Sequence, residues 1–448
     1  MEKLESSLFF LRGTIYEAHS NIKEAKRCYQ EALCSDIYNY EAFYRLVSSH
    51  MLTQKEEQTF LQNLPWDSVS AWEREALHLQ YSTLCARYCF APDVPDAAHI
   101  KRLNKHVDVR VNRAYTHYNR LNFKKAYRIT SKALQFDPLH ERGLLLHVGC
   151  LIELKKTNEL FIKVHYLVDR LPDKAITWYS LGCYYYLLGH QEKARRYFSR
   201  ALGMGACRGE SWIAAGHSFA SEGDHDAAMT AYRAAARVVS GSHLPSLYTG
   251  VQYVHYFIYE SAQLSFEASR QLYSKDPLVF HEIGVAYYKD YEFEKAIHYF
   301  REASSLIEKP PFQETSCYEF LHTTLLNIGH SYRKLQLFEE AKNYYEEAKK
   351  CSPFHYSSYA ALGLISQLFG FKKALQECVS LADGPGNDFL NKLNAFEKYT
   401  SFFQTAIENY HKALSMNPGD PFCSAMLESA LQNVSRIHLL KSVRAHTS

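Results

Sequence analysis

The stretch Ala175–Ala201, AITWYSLGCYYYLLGHQEKARRYFSRA, decides the fold. Its small residues Gly182, Ala194 and Ala201 are interleaved with the bulky Trp178, Leu181, Tyr185 and Phe198, and Gly189 separates the two halves. Apolar side chains recur at helical spacing in each half, so the stretch predicts two helices joined by a tight turn. Gly and Ala at the contact let the two backbones approach, and the large residues fill the space beside them. Working outward in steps of 34 residues finds the pattern again. Gly216, Gly250 and Gly284 follow Gly182; Ala228, Ala262 and Ala296 follow Ala194; Tyr232, Phe266 and Phe300 follow Phe198.

A fixed period of this length marks one helix hairpin copied along an array, and the order W-x2-L-G-x2-Y…A-x3-F…A is that of a tetratricopeptide repeat. The expected fold is all-α, a right-handed α-solenoid of tetratricopeptide helix hairpins. Six repeats in continuous register are expected over 107–310; the copy at 141–174 is the least regular, with Val148 and Leu160 at the small places. The register then slips, because Gly329 follows Gly284 by 45 residues, which predicts an 11-residue insertion at 311–321 before a further repeat at 322–355. Upstream, 1–64 holds a repeat at 6–39 and an irregular helical pair, and 65–106 reads as a helical linker with one helix near 71–89. The last repeat, 356–418, is split: Gly363 marks its first helix and Ala406, Tyr410 and Ala413 its second, with an insertion expected at 371–401 around Asp383, Gly384, Pro385 and Gly386. Asp420 and Pro421 open a capping helix in 419–448, whose tail is expected to fray from about Lys441.

Composition removes several function classes. Lys plus Arg number 51 against 48 Asp plus Glu, so the net charge of +3 gives no general pull toward nucleic acid or an anionic membrane. Eleven Cys without a C-x-x-C pair point to reduced, intracellular thiols. The N-terminus lacks a secretory apolar run, and no stretch is long enough to span a bilayer. Twenty-two His contain no H-E-x-x-H and no ligand set at metal spacing. The glycines of GMGACRGE, Gly203 and Gly205, follow a helix rather than a strand and read as a hairpin exit. No catalytic residue, metal or cofactor is expected, and the protein is read as a binding protein rather than an enzyme.

A solenoid binds with the face lined by the first helix of each hairpin. The phase of that helix selects Tyr179, Tyr186, Ile213, His217, His281, Tyr288, His330, Arg333 and Lys334 as candidate groove residues. Tyr and His suit a partner that buries apolar surface and keeps some hydrogen bonds, and a helix or extended peptide is the natural ligand. Packing on the next repeat is the competing role for the aromatics; for Arg333 and Lys334 it is a solvated face. A co-chaperone that grips acidic chaperone tails needs a Lys and Asn clamp, and the corresponding places hold Tyr179 and Cys183, then Ile213 and His217.

Beyond the repeat consensus, the strings LRGTIYEAHSN, YEAFYRLVSSHMLTQKEE, VDRLPDKAITWYSLGCYYYLLGH, SWIAAGHSFASEGDHDAAM, HLPSLYTGVQY and LLNIGHSYRKL resemble the tetratricopeptide subunit six of the anaphase-promoting complex/cyclosome, the cell division cycle protein sixteen family. The resemblance runs from about residue 8 to 370 and again from 402 to about 430. It implies a scaffold in a multisubunit ubiquitin ligase of the cell cycle, in the nucleus and cytoplasm, whose catalytic parts lie on other subunits. It further implies that the groove of the 175 to 356 repeats encloses the N-terminus of a small accessory subunit, cell division cycle protein twenty-six, and that other tetratricopeptide subunits are neighbours. Family members also form homodimers through their first repeats; this chain is expected to lack part of that region.

Overall fold

The computed structural model describes residues 2–86, 106–205, 208–308, 318–382 and 398–447. It divides into two units, Met1–Glu282 with Leu306–Cys317, and Ile283–Ser305 with Tyr318–Ser448. All regular structure among the described residues is helical, and the fold class is the all-α solenoid of hairpins.

The first unit opens with the hairpin α1 (Glu2–Ala18) and α2 (Ile22–Ser35) and the shorter pair α3 (Tyr40–Ser48) and α4 (Gln54–Asn63). The linker supplies α5 (Ala71–Cys85); its APDVPDAA stretch lies outside the described residues. Five hairpins in register follow, or begin, in this unit: α6 (Val107–Asn119) with α7 (Phe123–Phe136), α8 (Glu141–Glu153) with α9 (Thr157–Arg170), α10 (Ala175–Leu187) with α11 (Gln191–Gly203), α12 (Arg208–Ser221) with α13 (His225–Val238), and α14 (Leu244–His255) with α15 (Tyr259–Leu272). Helix α16 (Pro277–Lys289) pairs with α17 (Phe293–Glu308). The second unit continues with α18 (Tyr318–Lys334), α19 (Phe338–Cys351), α20 (Tyr356–Ala382), α21 (Thr400–Met416) and α22 (Pro421–Thr447).

One contact recurs in these hairpins. A Cβ built on Gly182 would stand 2.5 Å from the Phe198 ring, far inside van der Waals contact, and the same overlap links Gly13 to Tyr29, Gly216 to Tyr232, Gly250 to Phe266, Gly284 to Phe300, Gly329 to Tyr345 and Gly363 to Tyr410. The flanking alanines Ala194 and Ala201 and their equivalents are buried, so each ring is held in a closed socket. The irregular repeat at 141–174 keeps the volume by exchange: Val148 and Leu160 are both fully buried, and Val164 stands where the ring would be.

Nine hairpin turns among the described residues share one geometry. The residue at the turn takes a left-handed backbone, and the next N–H bonds back five residues, as in Asn122 to His117, Lys156 to Leu151, His190 to Tyr185, Ile258 to Tyr253 and Glu292 to Tyr287. Gly189 and Gly223 suit this conformation, but Leu121, Lys155, Phe257 and Tyr291 adopt it too, with φ between 53° and 64°, at roughly 1 kcal/mol each.

Three expectations need correction. The insertion at 311–321 lies outside the described residues up to 317, and from Tyr318 onward the chain is already α18. The insertion expected at 371–401 begins too early: α20 continues through Gly370 to Ala382, its helical pattern unbroken until the Asp383–Gly386 run, which lies outside the described residues. The capping helix, opened by Asp420 accepting from the Cys423 N–H at 3.0 Å, extends to Thr447 instead of fraying near Lys441.

Two residues far apart in sequence close the first unit. The Gly241 N–H donates to the His50 carbonyl at 2.7 Å, and a Cβ on Gly241 would overlap the Leu52 carbonyl oxygen. Backbone cannot step aside as a side-chain tip can, so only glycine fits there.

Burial also sets a pH dependence. His147, His217, His281, His322 and His330 are pushed down to about 4, chiefly by desolvation of the charged ring. The unfolded chain binds these protons near pH 6.5 and the folded chain near 4, so stability falls as pH drops through that window. Thermal melts at pH 7.5, 5.5 and 4.5 should show a progressive loss, on the order of one to three kcal/mol per histidine by the acid end. Gly284→Leu should cost several kcal/mol in a urea melt, about 3 or more, by overpacking against Phe300. Gly241→Ala should leave helicity by circular dichroism intact but speed amide exchange at residues 48–52, where its clash is felt.

Candidate functional site

In the first unit the candidate residues occupy α10, α12 and α16. Tyr179 packs against the Phe198 ring at 6.0 Å, and burial holds its hydroxyl well above the usual range. Tyr186, one helical turn from Cys183, is half-buried and is likewise raised by burial. Ile213 is half-buried on α12. His217 is tied into its own hairpin: the Tyr232 hydroxyl and His217 Nδ1 share a hydrogen bond of 2.8 Å, and the Tyr248 ring meets it edge-on at 4.5 Å. His281 is 6% exposed and belongs to the packing layer instead of an open face.

In the second unit Tyr288 is half-buried and meets Phe293 edge-on at 5.5 Å. His330 repeats the arrangement of His217, with its Nδ1 at 2.8 Å from the Tyr345 hydroxyl. Arg333, half-buried, has an Nε with no hydrogen-bond partner, and Lys334 beside it is exposed. Of the residues selected from the sequence, Tyr179, Tyr186, Ile213 and His217 in one unit and Tyr288, His330 and Arg333 in the other are half-buried, Lys334 is exposed and His281 is buried. His217 and His330 each give the hydroxyl of a socket tyrosine a hydrogen-bond partner, which lets tyrosine stand where other hairpins have phenylalanine.

That pairing was readable. Where the socket ring is Tyr232 or Tyr345, the residue fifteen places earlier is His217 or His330; where it is Phe198, Phe266 or Phe300, that residue is Cys183, Val251 or Val285. A phenol needs a partner when buried and a phenyl does not.

The sequence reading also missed a cavity of about 610 Å³ in the first unit, lined among others by Glu17, Tyr44, Arg45, Tyr115, Arg142 and Glu210. The Arg142 guanidinium lies 4.7 Å from the Tyr115 ring and 5.8 Å from that of Tyr44, and donates to Asn112 at 2.6 Å. Glu17 accepts from Tyr29 at 2.7 Å and pairs with Arg45 at 3.3 Å. Arg142 and Glu210 share the second place of their repeats, but Glu17, Tyr44, Arg45 and Tyr115 come from other places and from outside that register, so no local motif announces the cavity. Among the described residues no cluster of His, Cys, Asp or Glu could hold a metal ion, and no helix is long and apolar enough to cross a membrane. Burial pushes the Cys150 and Cys183 thiols up to about 12, which leaves them unreactive.

A family model described as tetratricopeptide repeat matches residues 175–204, 209–238 and 322–355. The chain is 35% identical over 430 residues to the cell division cycle protein 16 homolog of Mus musculus, an alignment that takes in 96% of this chain and 64% of that protein. It thus spans just under two thirds of that relative. With anaphase-promoting complex subunit 6 of Arabidopsis thaliana the identity is 33% over 381 residues, 82% of this chain and 68% of the relative. Among solved structures, the crystal structure of the APC/C hetero-tetramer Cut9-Hcn1 matches with a TM-score of 0.67 at 30% identity, covering 96% of this chain and 77% of that one. On repeat register, hairpin geometry and identity along most of its length, this chain belongs to the family of cell division cycle protein 16 and anaphase-promoting complex subunit 6.

Proposed function

We propose that this protein is a scaffold subunit of the anaphase-promoting complex/cyclosome ubiquitin ligase, working in the nucleus and cytoplasm. It binds through the first-helix faces of its repeats and catalyses no reaction itself. The observation that carries this reading is the likeness, over 96% of the chain, to the Cut9 component of a complex with Hcn1. By analogy its ligand is the small accessory subunit of the cell division cycle protein twenty-six kind, with other tetratricopeptide subunits as neighbours. The chemistry of the second unit supports such a ligand. Among the described residues the buried Nε of Arg333 has no hydrogen-bond acceptor, and Lys334 adds a charge beside it, so a partner carbonyl or carboxylate suits this end of the helix.

Isothermal titration with an N-terminal peptide of the accessory subunit tests the reading, together with affinity purification from dividing cells. A saturable isotherm and recovery of the other ligase subunits are expected. The double change Tyr288→Ser with Lys334→Glu should weaken the peptide about tenfold or more with little change in melting temperature. By contrast His330→Ala should lower the melting temperature, because it strands the buried Tyr345 hydroxyl at a cost of about 1–3 kcal/mol. Absence of both peptide binding and co-purifying subunits would defeat the proposal.

A further inference from the structure

The turn between α14 and α15 places an aromatic ring where the shared turn geometry asks for none. Phe257 stands at the left-handed place with φ of 61°, a place held by Gly189 and Gly223 in the two preceding turns and by Leu121, Lys155 and Tyr291 in others. A ring that packed into the core would explain its retention, but Phe257 is 71% exposed, and its neighbours Tyr256 and Ile258 are 39% and 47% exposed. Its one close ring contact is Tyr259, edge-on at 6.4 Å. Strain and apolar exposure held together in a few residues point outward, to a contact made with another molecule.

The surroundings fix the kind of molecule. The turn of the preceding hairpin lies against this one: His225 stacks on His255 at 4.9 Å and meets Tyr256 edge-on at 5.4 Å, and desolvation with the nearby Asp226 carboxylate holds the Tyr256 hydroxyl above its usual range. Around the exposed rings stand Asp224, Asp226 and Glu260, all exposed, while Glu222 is already paired with Arg195 at 2.6 Å. Neither 222–226 nor 255–260 contains a Lys or Arg. Exposed aromatic faces with a collar of carboxylates, beside which Arg195 is already held by Glu222, suit a guanidinium, which stacks on the rings while its N–H groups reach the acids.

We propose that this turn edge is a docking surface for an arginine-bearing, apolar segment of a partner protein, separate from the first-helix faces. Arginine lies over Phe257 and Tyr256, the carboxylates of Asp224, Asp226 and Glu260 set its orientation, and an adjacent aliphatic side chain covers Ile258.

The test is fluorescence anisotropy with a labelled peptide, Leu-Arg-Phe-Arg-Leu-Arg, titrated against the full chain, with a Glu-for-Arg version as control. Wild type should bind the arginine peptide saturably, more weakly as salt rises, and should not bind the glutamate peptide. Phe257→Gly should weaken binding about tenfold while its melting temperature stays the same or rises, because glycine relieves the strained backbone. Asp226→Lys should weaken binding to a similar degree. The proposal is overturned if the arginine peptide fails to bind, if Phe257→Gly binds as wild type does, if the glutamate peptide binds equally, or if Phe257→Gly melts lower.

Discussion

A phenyl or phenol ring lying against the bare Cα of a glycine on the facing helix sets the geometry of nearly every hairpin in this protein. Helix packing distances follow from what stands at the contact, and here one partner contributes no side chain at all. The ring then reaches the opposite backbone, and the alanines on either side close over it. In the seven hairpins that make this contact it sets the approach of the two helices, and so which side chains of the first helix turn toward the next repeat and which face solvent.

The chemistry of the socket reaches into the faces that bind. Tyr232 and Tyr345 carry a hydroxyl into a site that suits a hydrocarbon, and each draws a histidine from the first helix to meet it. Those histidines are thereby tied into their own hairpins while staying half-buried, and desolvation of the charged ring pushes them down to about 4. In the second unit the first helices carry half-buried Tyr288 and Arg333 and exposed Lys334.

The hairpin architecture was legible because glycine, alanine and aromatic places recur at a constant spacing, and even the split last repeat could be assigned: Gly363 and Tyr410 do meet across the interruption. The extra residues begin as a continuation of α20, because 371–382 keeps a helical pattern that no longer follows the repeat consensus, and consensus was the guide there. The candidate site was less legible. Phase along a helix separates inward from outward but does not distinguish a partner from the next repeat, so His217, His281 and His330 were grouped with Tyr186 and Lys334. The cavity around Arg142 and the clasp between Gly241 and His50 depend on residues a full run of repeats apart, and no local spacing encodes such proximity.

The pairing of Gly363 with Tyr410 has an evolutionary consequence. Both partners sit within rigid helices, so the socket can close whatever path the polypeptide takes between them, and the entropy of a longer connection grows only with its logarithm, about 0.6 kcal/mol for each doubling. The mouth of a hairpin is thus a tolerant place for lineages to splice in new sequence. A scaffold of this kind can gain lineage-specific appendages at its turns without renegotiating the register of the array that carries them.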